Sequence, residues 1–245
     1  MEFISVVKEG PVSIMTMNHE EQNRFTTPFM QEIIACLMEL ENDAGALGVV
    51  VTGAQEKYFS TGLHLEYLIS QGTKDLRLLR EFLSLVNQLC ILTTGFKKPL
   101  VAAINGHVVA MGCIFAACMD YRLMREDFGF VRLPEVQIDI PFWPGMIAIF
   151  KDIVPPKSFR DMAYIGDRFT SRQAKEMGYI DELYPKDRLL PAAVELASKL
   201  GIANTDTYTI IKRDLRHKVL ESMKNDDPKA IEAFISRFKS SPDKG

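Results

Sequence analysis

This sequence of 245 residues has no excess of charge of either sign: 29 Lys and Arg stand against 32 Asp and Glu, a formal net charge of −3. It therefore has no electrostatic footprint for nucleic acid. Its four cysteines, Cys36, Cys90, Cys113 and Cys118, show neither the pair spacing of a metal site nor the density of a disulfide scaffold. They read as reduced thiols of an intracellular protein. The opening "MEFISVVKEGPVSIMTMN" lacks the basic start and unbroken apolar core of a secretory signal, so a cytoplasmic location is expected. A single stretch, Pro99 to Met119, is long and apolar enough to suggest a bilayer span. Asn105-Gly106-His107 interrupts it with turn chemistry, and Lys97-Lys98 and Asp120 flank it closely. Two buried elements joined by a tight turn are expected there, and no membrane partner.

The common local motifs are missing too. "GVVVTGA" has the glycine spacing of a phosphate loop, but Ala54-Gln55 stand where Lys-Ser/Thr would grip phosphate and magnesium. No GxGxxG and no GxSxG occur. His19-Glu20 lacks the second histidine of a zinc protease, and His19, His64, His107 and His217 are too far apart in sequence to form a local metal site.

With 47% apolar and 25% charged residues, the chain can bury a sizeable core. "FISVVKEG" and "VSIMTMN", separated by Gly10-Pro11, read as a hairpin. Thr27-Pro28 reads as an N-cap and first helical residue, before a helix with Phe29, Ile33, Cys36, Leu37 and Leu40 on one face. "LGVVVTGA" and "PLVAAI" are continuous apolar runs of strands buried on both faces. Residues 76–95 read as a helix. "YRLMRED", "FGFVRLPE" and "QIDIPF" read as short extended pieces, and "GDRFTSRQAKEMGYIDELYP" contains a helix stopped at Gly178. Three further helical patterns follow from Leu190, before a polar "SSPDKG". Alternating strands and helices give an α/β class, with a core domain over 1–190 and a helical C-terminal extension over 191–245.

Three segments carry chemistry. "YFSTGLHL" (Tyr58 to Leu65) and "AINGHVVAMGCIFAACMDYRLM" (Ala103 to Met124) each place a bend or helix start after a buried strand. Each bend frees a backbone N–H, and two such donors aimed at one point form an oxyanion hole. In "VRLPEVQIDIPFWPG" a carboxylate, Glu135, sits among apolar residues. It is either a base of raised pKa or a structural group, capping a helix or paired with Arg132. Ile140, Phe142 and Trp143 read as core or as the wall of an apolar pocket. His64 and His107 read as packed or solvated, and Lys97-Lys98 as a solvated loop.

In these segments the sequence resembles the crotonase superfamily, the enoyl-CoA hydratase/isomerase family, over roughly residues 1–190. "FSTGLHL" is similar to the family's Phe-Ser-Ala/Gly-Gly-X-Asp-Leu, and "NGHVVAMGCIFAACMD" to its second, glycine-rich segment. "PEVQIDIPF" is similar to the segment that carries a catalytic glutamate, and "GDRFTSRQAKEMGYIDELYP" to a helical segment that follows. The resemblance implies the crotonase-like fold of repeated ββα units. It implies Leu63 and Met111 as oxyanion donors, Glu135 as acid/base, and Ser60, Thr61, Gly62, Leu63, His64, Met111 and Gly112 along the path of an acyl-CoA thioester. It implies no cofactor beyond the coenzyme A of the substrate, and a homotrimer or dimer of trimers. Basic residues of the tail, among them Lys212, Arg213 and Lys224, are candidates for coenzyme A contacts. Two departures stand out. Met111 replaces a usual glycine, and Ile114 occupies the place of the second glutamate that hydratases use to handle water. "NRF", from Asn23 to Phe25, "DYRLM" and "FGF" are similar to isomerase members. The expected reaction is therefore the shift of a 3-enoyl-CoA double bond to the 2-position; the alternatives are a hydratase or another one-base reaction of the family, or a non-catalytic acyl-CoA-binding member.

Overall fold

The structure, a computed structural model, describes residues 1–202 and 205–240; the end of the polar tail lies outside the described residues. In chain order the elements are β1 (Ile4–Glu9), β2 (Val12–Met17), α1 (Thr27–Asn42), β3 (Gly48–Gly53), β4 (Tyr58–Ser60), α2 (Leu65–Lys74) and α3 (Leu76–Thr94). Next come β5 (Leu100–Ile104), β6 (His107–Val109), α4 (Met111–Ala117), β7 (Tyr121–Arg125), β8 (Phe130–Arg132) and a 3-10 turn (Glu135–Gln137). The remainder is α5 (Pro144–Ile153), α6 (Pro156–Ile165), β9 (Arg168–Thr170), α7 (Ser171–Glu176), β10 (Glu182–Tyr184), α8 (Lys186–Ile202), α9 (Thr205–Asn225) and α10 (Asp227–Ser240).

From β3 to β8 successive strands are dealt alternately to two sheets. β3, β5 and β7 enter a six-stranded sheet of order β1-β2-β3-β5-β7-β10, while β4, β6 and β8 enter a four-stranded sheet of order β4-β6-β8-β9. Each repeat therefore places one strand in each sheet before its helix, which is the ββα repeat expected. β1 and β2 pair antiparallel around the Gly10-Pro11 turn, and the other pairings of the large sheet are parallel.

The continuous apolar strands are buried on both faces. Val49 and Val51 of β3, with Leu100, Ala102 and Ile104 of β5, face the main core that α1 and α3 cover. Val50, Val101 and Ala103 face a second core completed by Leu189, Ala193 and Ala197 of α8. Period-two alternation sends neighbouring residues to opposite faces, so a strand covered twice is apolar throughout. The boundary expected between residues 190 and 191 falls inside α8.

Three local expectations are corrected. The N-cap of α1 is Thr26, one residue earlier than expected, because Pro28 fits within the first turn. "QIDIPF" is not a strand: Gln137 and Ile138 donate to Pro134 O and Ile140 donates to Glu135 O, which coils the chain back on itself. Lys98 is not solvated. Its ammonium donates to Leu40 O (2.8 Å) and Asp43 O (2.6 Å) at the C-terminal end of α1, where free carbonyls favour a cation. Among the described residues no helix is long and apolar enough to cross a membrane, and Pro99 to Met119 folds as β5, β6 and α4.

Candidate active site

The two bends are packed against each other. Gly62 has φ of +91°, and a Cβ there would lie 2.8 Å from Met111 N and 3.0 Å from Val109 O. A Cβ on Gly112 would lie 2.5 Å from Ser60 O. Both positions need glycine so that the backbones can approach this closely. The first bend is braced from behind by residues 19–25. Phe25 N–H donates to Gly62 O, and His64 N–H donates to Phe25 O. In a parallel bridge of this kind the residue between, Leu63, turns its own amide to the opposite side. Asn23, buried at φ of +47°, donates from Nδ2 to Phe59 O, and its own carbonyl accepts from Ser60 Oγ. The second bend leads directly into α4. Ala110 holds φ of +52°, rare for a residue with a side chain, and Met111 opens the helix. The first-turn amides of a helix have no intrahelical acceptor, so Met111 N–H is left available.

A cavity of about 220 Å³ lies beside these bends. Thr61, Leu63, Val109, Ala110 and Met111 line it on one side, and Pro134, Glu135, Ile140, Phe142 and Trp143 on another. Ile114 also lines it, from one turn into α4. Glu135 is 5% exposed and opens the 3-10 turn. Its Oε2 has no hydrogen-bond partner. Burial pushes its carboxyl up to about 7, because the charged form is poorly solvated there. Arg132 does not neutralise it. That guanidinium donates from Nε to Gly166 O (2.9 Å) and from Nη2 to Gln137 Oε1. The structural reading of Glu135 as half of an ion pair therefore fails. Among the described residues Glu135 is the only carboxylate in the cavity wall, and Arg132 the only basic residue.

Of the other residues expected along the substrate path, Thr61, Leu63 and Met111 line the cavity. Ser60, Gly62, His64 and Gly112 stand behind them. The Ser60 hydroxyl is fully buried, donating to Asn23 O (2.8 Å) and accepting from Gly62 N–H (3.2 Å), so it shapes the bend. His64 is the N-cap of α2, its Nδ1 accepting from Tyr67 N–H (3.3 Å). A histidine thus supplies the acceptor that an aspartate supplies more commonly at a helix start. His107 is packed among Tyr58, Phe128 and Phe130. Ile140, Phe142 and Trp143, left between core and pocket wall, line the cavity. Lys212 is corrected: it is 7% exposed and paired with Asp120 at 2.8 Å, so it cannot reach a phosphate. Among the described residues no group of three or more His, Cys, Asp or Glu is placed to hold a metal ion.

The profile of the enoyl-CoA hydratase/isomerase family matches residues 8–244, nearly the whole chain. The chain belongs to the enoyl-CoA hydratase/isomerase family. Enoyl-CoA delta isomerase 3 of Arabidopsis thaliana is 24% identical over 217 residues, covering 85% of this chain and 90% of its own length. The short-chain-enoyl-CoA hydratase of Clostridium acetobutylicum is 27% identical over 203 residues, covering 82% of this chain and 76% of its own. The fold is that of human mitochondrial delta3-delta2-enoyl-CoA isomerase, with a TM-score of 0.85 at 20% identity over 98% of this chain and 99% of that one. An isomerase and a hydratase stand at similar distance. Membership in the enoyl-CoA hydratase/isomerase family thus gives the type of chemistry, and the choice within it turns on the cavity's own residues.

The brace from Asn23 was missed as such in the sequence. "NRF" shows its similarity to isomerase members but not that its asparagine braces the bend. The available signal was a polar residue with a taste for positive φ, set just before a buried aromatic.

Proposed function

We propose that this chain is an enoyl-CoA delta isomerase that uses Glu135 as its only acid/base. The observation that carries this reading is the cavity wall: one carboxylate, its pKa raised to about 7, with Ile114 where a second would be needed to handle water. The carboxylate takes a proton from carbon 2 of a 3-enoyl thioester. The electrons move toward the thioester oxygen, giving a dienolate held by the amides of Leu63 and Met111. Glu135 then returns the same proton to carbon 4, leaving the double bond between carbons 2 and 3. No water is consumed and no second base is required. A base with a pKa near neutrality both accepts and releases a proton readily, which suits a two-way transfer. The amide pair lowers the barrier because charge grows on the thioester oxygen only as the proton leaves. The coenzyme A of the substrate is the only cofactor chemistry the reaction calls for.

Glu135→Gln keeps the shape and removes the base. Its isomerisation of a 3-enoyl-CoA of six to twelve carbons, followed as growth of conjugated 2-enoyl thioester absorbance, is expected to fall by a factor of about 10²–10⁴. Near-full turnover in that variant would overturn the assignment. A homotrimer, as the family resemblance implies, is proposed for the assembly. Ile211 and Leu215, one turn apart on α9, are 54% and 71% exposed and offer an apolar face for it.

A further inference from the structure

We infer that Phe234, carried by the last helix, sets the length of acyl chain that the cavity accepts; this rests on the reading that the cavity takes an acyl-CoA. The polar side chains of the wall are Thr61 of the first bend, Arg132 at the end of β8 and Glu135 of the 3-10 turn, whereas Leu83 and Val86 of α3, Met146 of α5 and Phe234 of α10 contribute only apolar surface. The acyl chain therefore runs from Glu135 toward these helices. Among the described residues Phe234 is the only wall residue that follows Met146 in the chain, and so the only one contributed by the C-terminal helices. It is half-buried, with Ile231 and Ile235 of the same helix 3% and 4% exposed in the core.

The helix that presents it is tied to the two others that form this end. Arg80 of α3 makes a two-pronged pair with Glu232, Nε to Oε1 at 2.6 Å and Nη2 to Oε2 at 2.8 Å. At the start of α10, Asp227 accepts from Gly145 N–H at 2.6 Å, inside the first turn of α5 and between the wall residues Trp143 and Met146. The helix that carries the ring is thus tied to α3 and α5, the two other helices that give the cavity its apolar wall.

Titration calorimetry reads occupancy without turnover, and does so equally for a variant that adds a second tryptophan to the wall beside Trp143. Saturated acyl-CoAs of four to sixteen carbons would be titrated against the full chain, Phe234→Ala and Phe234→Trp. In the unmodified protein affinity is expected to rise with each methylene and then stop rising at a limiting length. Phe234→Ala is expected to move that limit to longer chains and to strengthen binding of the chains just beyond the original limit about tenfold or more. Phe234→Trp is expected to move the limit the other way. Four-carbon affinity stays the same within about twofold in all three, since a short chain ends before the ring is reached. Loosened packing would weaken binding at every length in both variants, and could not move the limit in opposite directions. An unchanged limit, or a uniform loss at all lengths, overturns the inference about Phe234. Failure of every acyl-CoA to bind the unmodified protein overturns the acyl-CoA reading, and the inference with it. Binding with the expected shifts but no isomerisation overturns the proposed reaction and upholds the role of Phe234.

Discussion

In the proposed mechanism Glu135 carries the chemistry and its cost in one side chain. Its carboxyl is lifted from an ordinary 4.5 to about 7 by burial. A proton can leave carbon 2 only if the carboxylate is charged, so kcat/KM for isomerisation is expected to rise with pH and level off above an apparent pKa of about 7. A flat profile between pH 5 and 8 would contradict this. The same shift acts on stability. A carboxyl with a higher pKa when folded holds its proton more tightly in the native state. Its stabilising contribution is complete below 4.5 and is lost as pH rises through about 7. Glu135→Gln removes the buried charge, so at pH 8 it is expected to be more stable than the parent by about 2–3 kcal/mol, with little difference at pH 4. Urea denaturation at the two pH values checks it, and a loss of stability at pH 8 would count against the burial argument. The oddity of a lone carboxylate in an apolar stretch was visible in the sequence. The choice between base and ion pair was not, because it depends on Gly166 O and Gln137 taking the guanidinium of Arg132.

Among elements, those whose environment repeats along the chain were the legible ones. β3 and β5 show their burial on both faces as unbroken apolar runs, and Gly10-Pro11 marks the hairpin. Elements shaped by distant partners were not. Lys98 reads as solvent-facing because nothing near it shows that carbonyls 58 and 55 residues away will be its acceptors. Lys212 is similar. On α9 it pairs with Asp120, whose Oδ2 also accepts from Tyr208 Oη (2.9 Å) and Leu100 N–H (2.8 Å). Both charged side chains are under one tenth exposed, 7% and 8%. This cluster fastens α9 to the start of β5. Lys212→Met is expected to lower stability by about 3–5 kcal/mol, since it leaves the Asp120 charge buried without its cation. Adding Asp120→Asn to that variant is expected to restore part of the loss, as the chemical denaturation midpoints of the single and double variants would show. Equal or greater destabilisation in the double variant would mean that the pair is held for packing alone.

For the whole molecule, the alternating supply of strands to two sheets brings distant bends to one place. Residues 60–63 leave β4 and residues 110–112 leave β6, and these strands are neighbours in the small sheet. The pair of bends proposed as the oxyanion site is thus a product of the repeat itself, and the glycines at 62 and 112 mark where the repeats touch. The apolar end of the cavity is a product of the helices, with Leu83 and Val86 from α3, Met146 from α5 and Phe234 from α10. If the proposed trimer forms, light scattering will give the mass of three chains, and a single-chain mass would remove α9 as an assembly surface. The most direct measurement sets two substrates side by side on the unmodified protein: a 3-enoyl-CoA, watched for growth of conjugated thioester absorbance, and the 2-enoyl-CoA of equal length, watched for its loss in water. With one carboxylate in the cavity and Ile114 beside it, growth on the first and no appreciable loss on the second are expected. Rapid loss on the second, with little growth on the first, would contradict the account and make the protein a hydratase whose second acid/base lies outside the cavity wall.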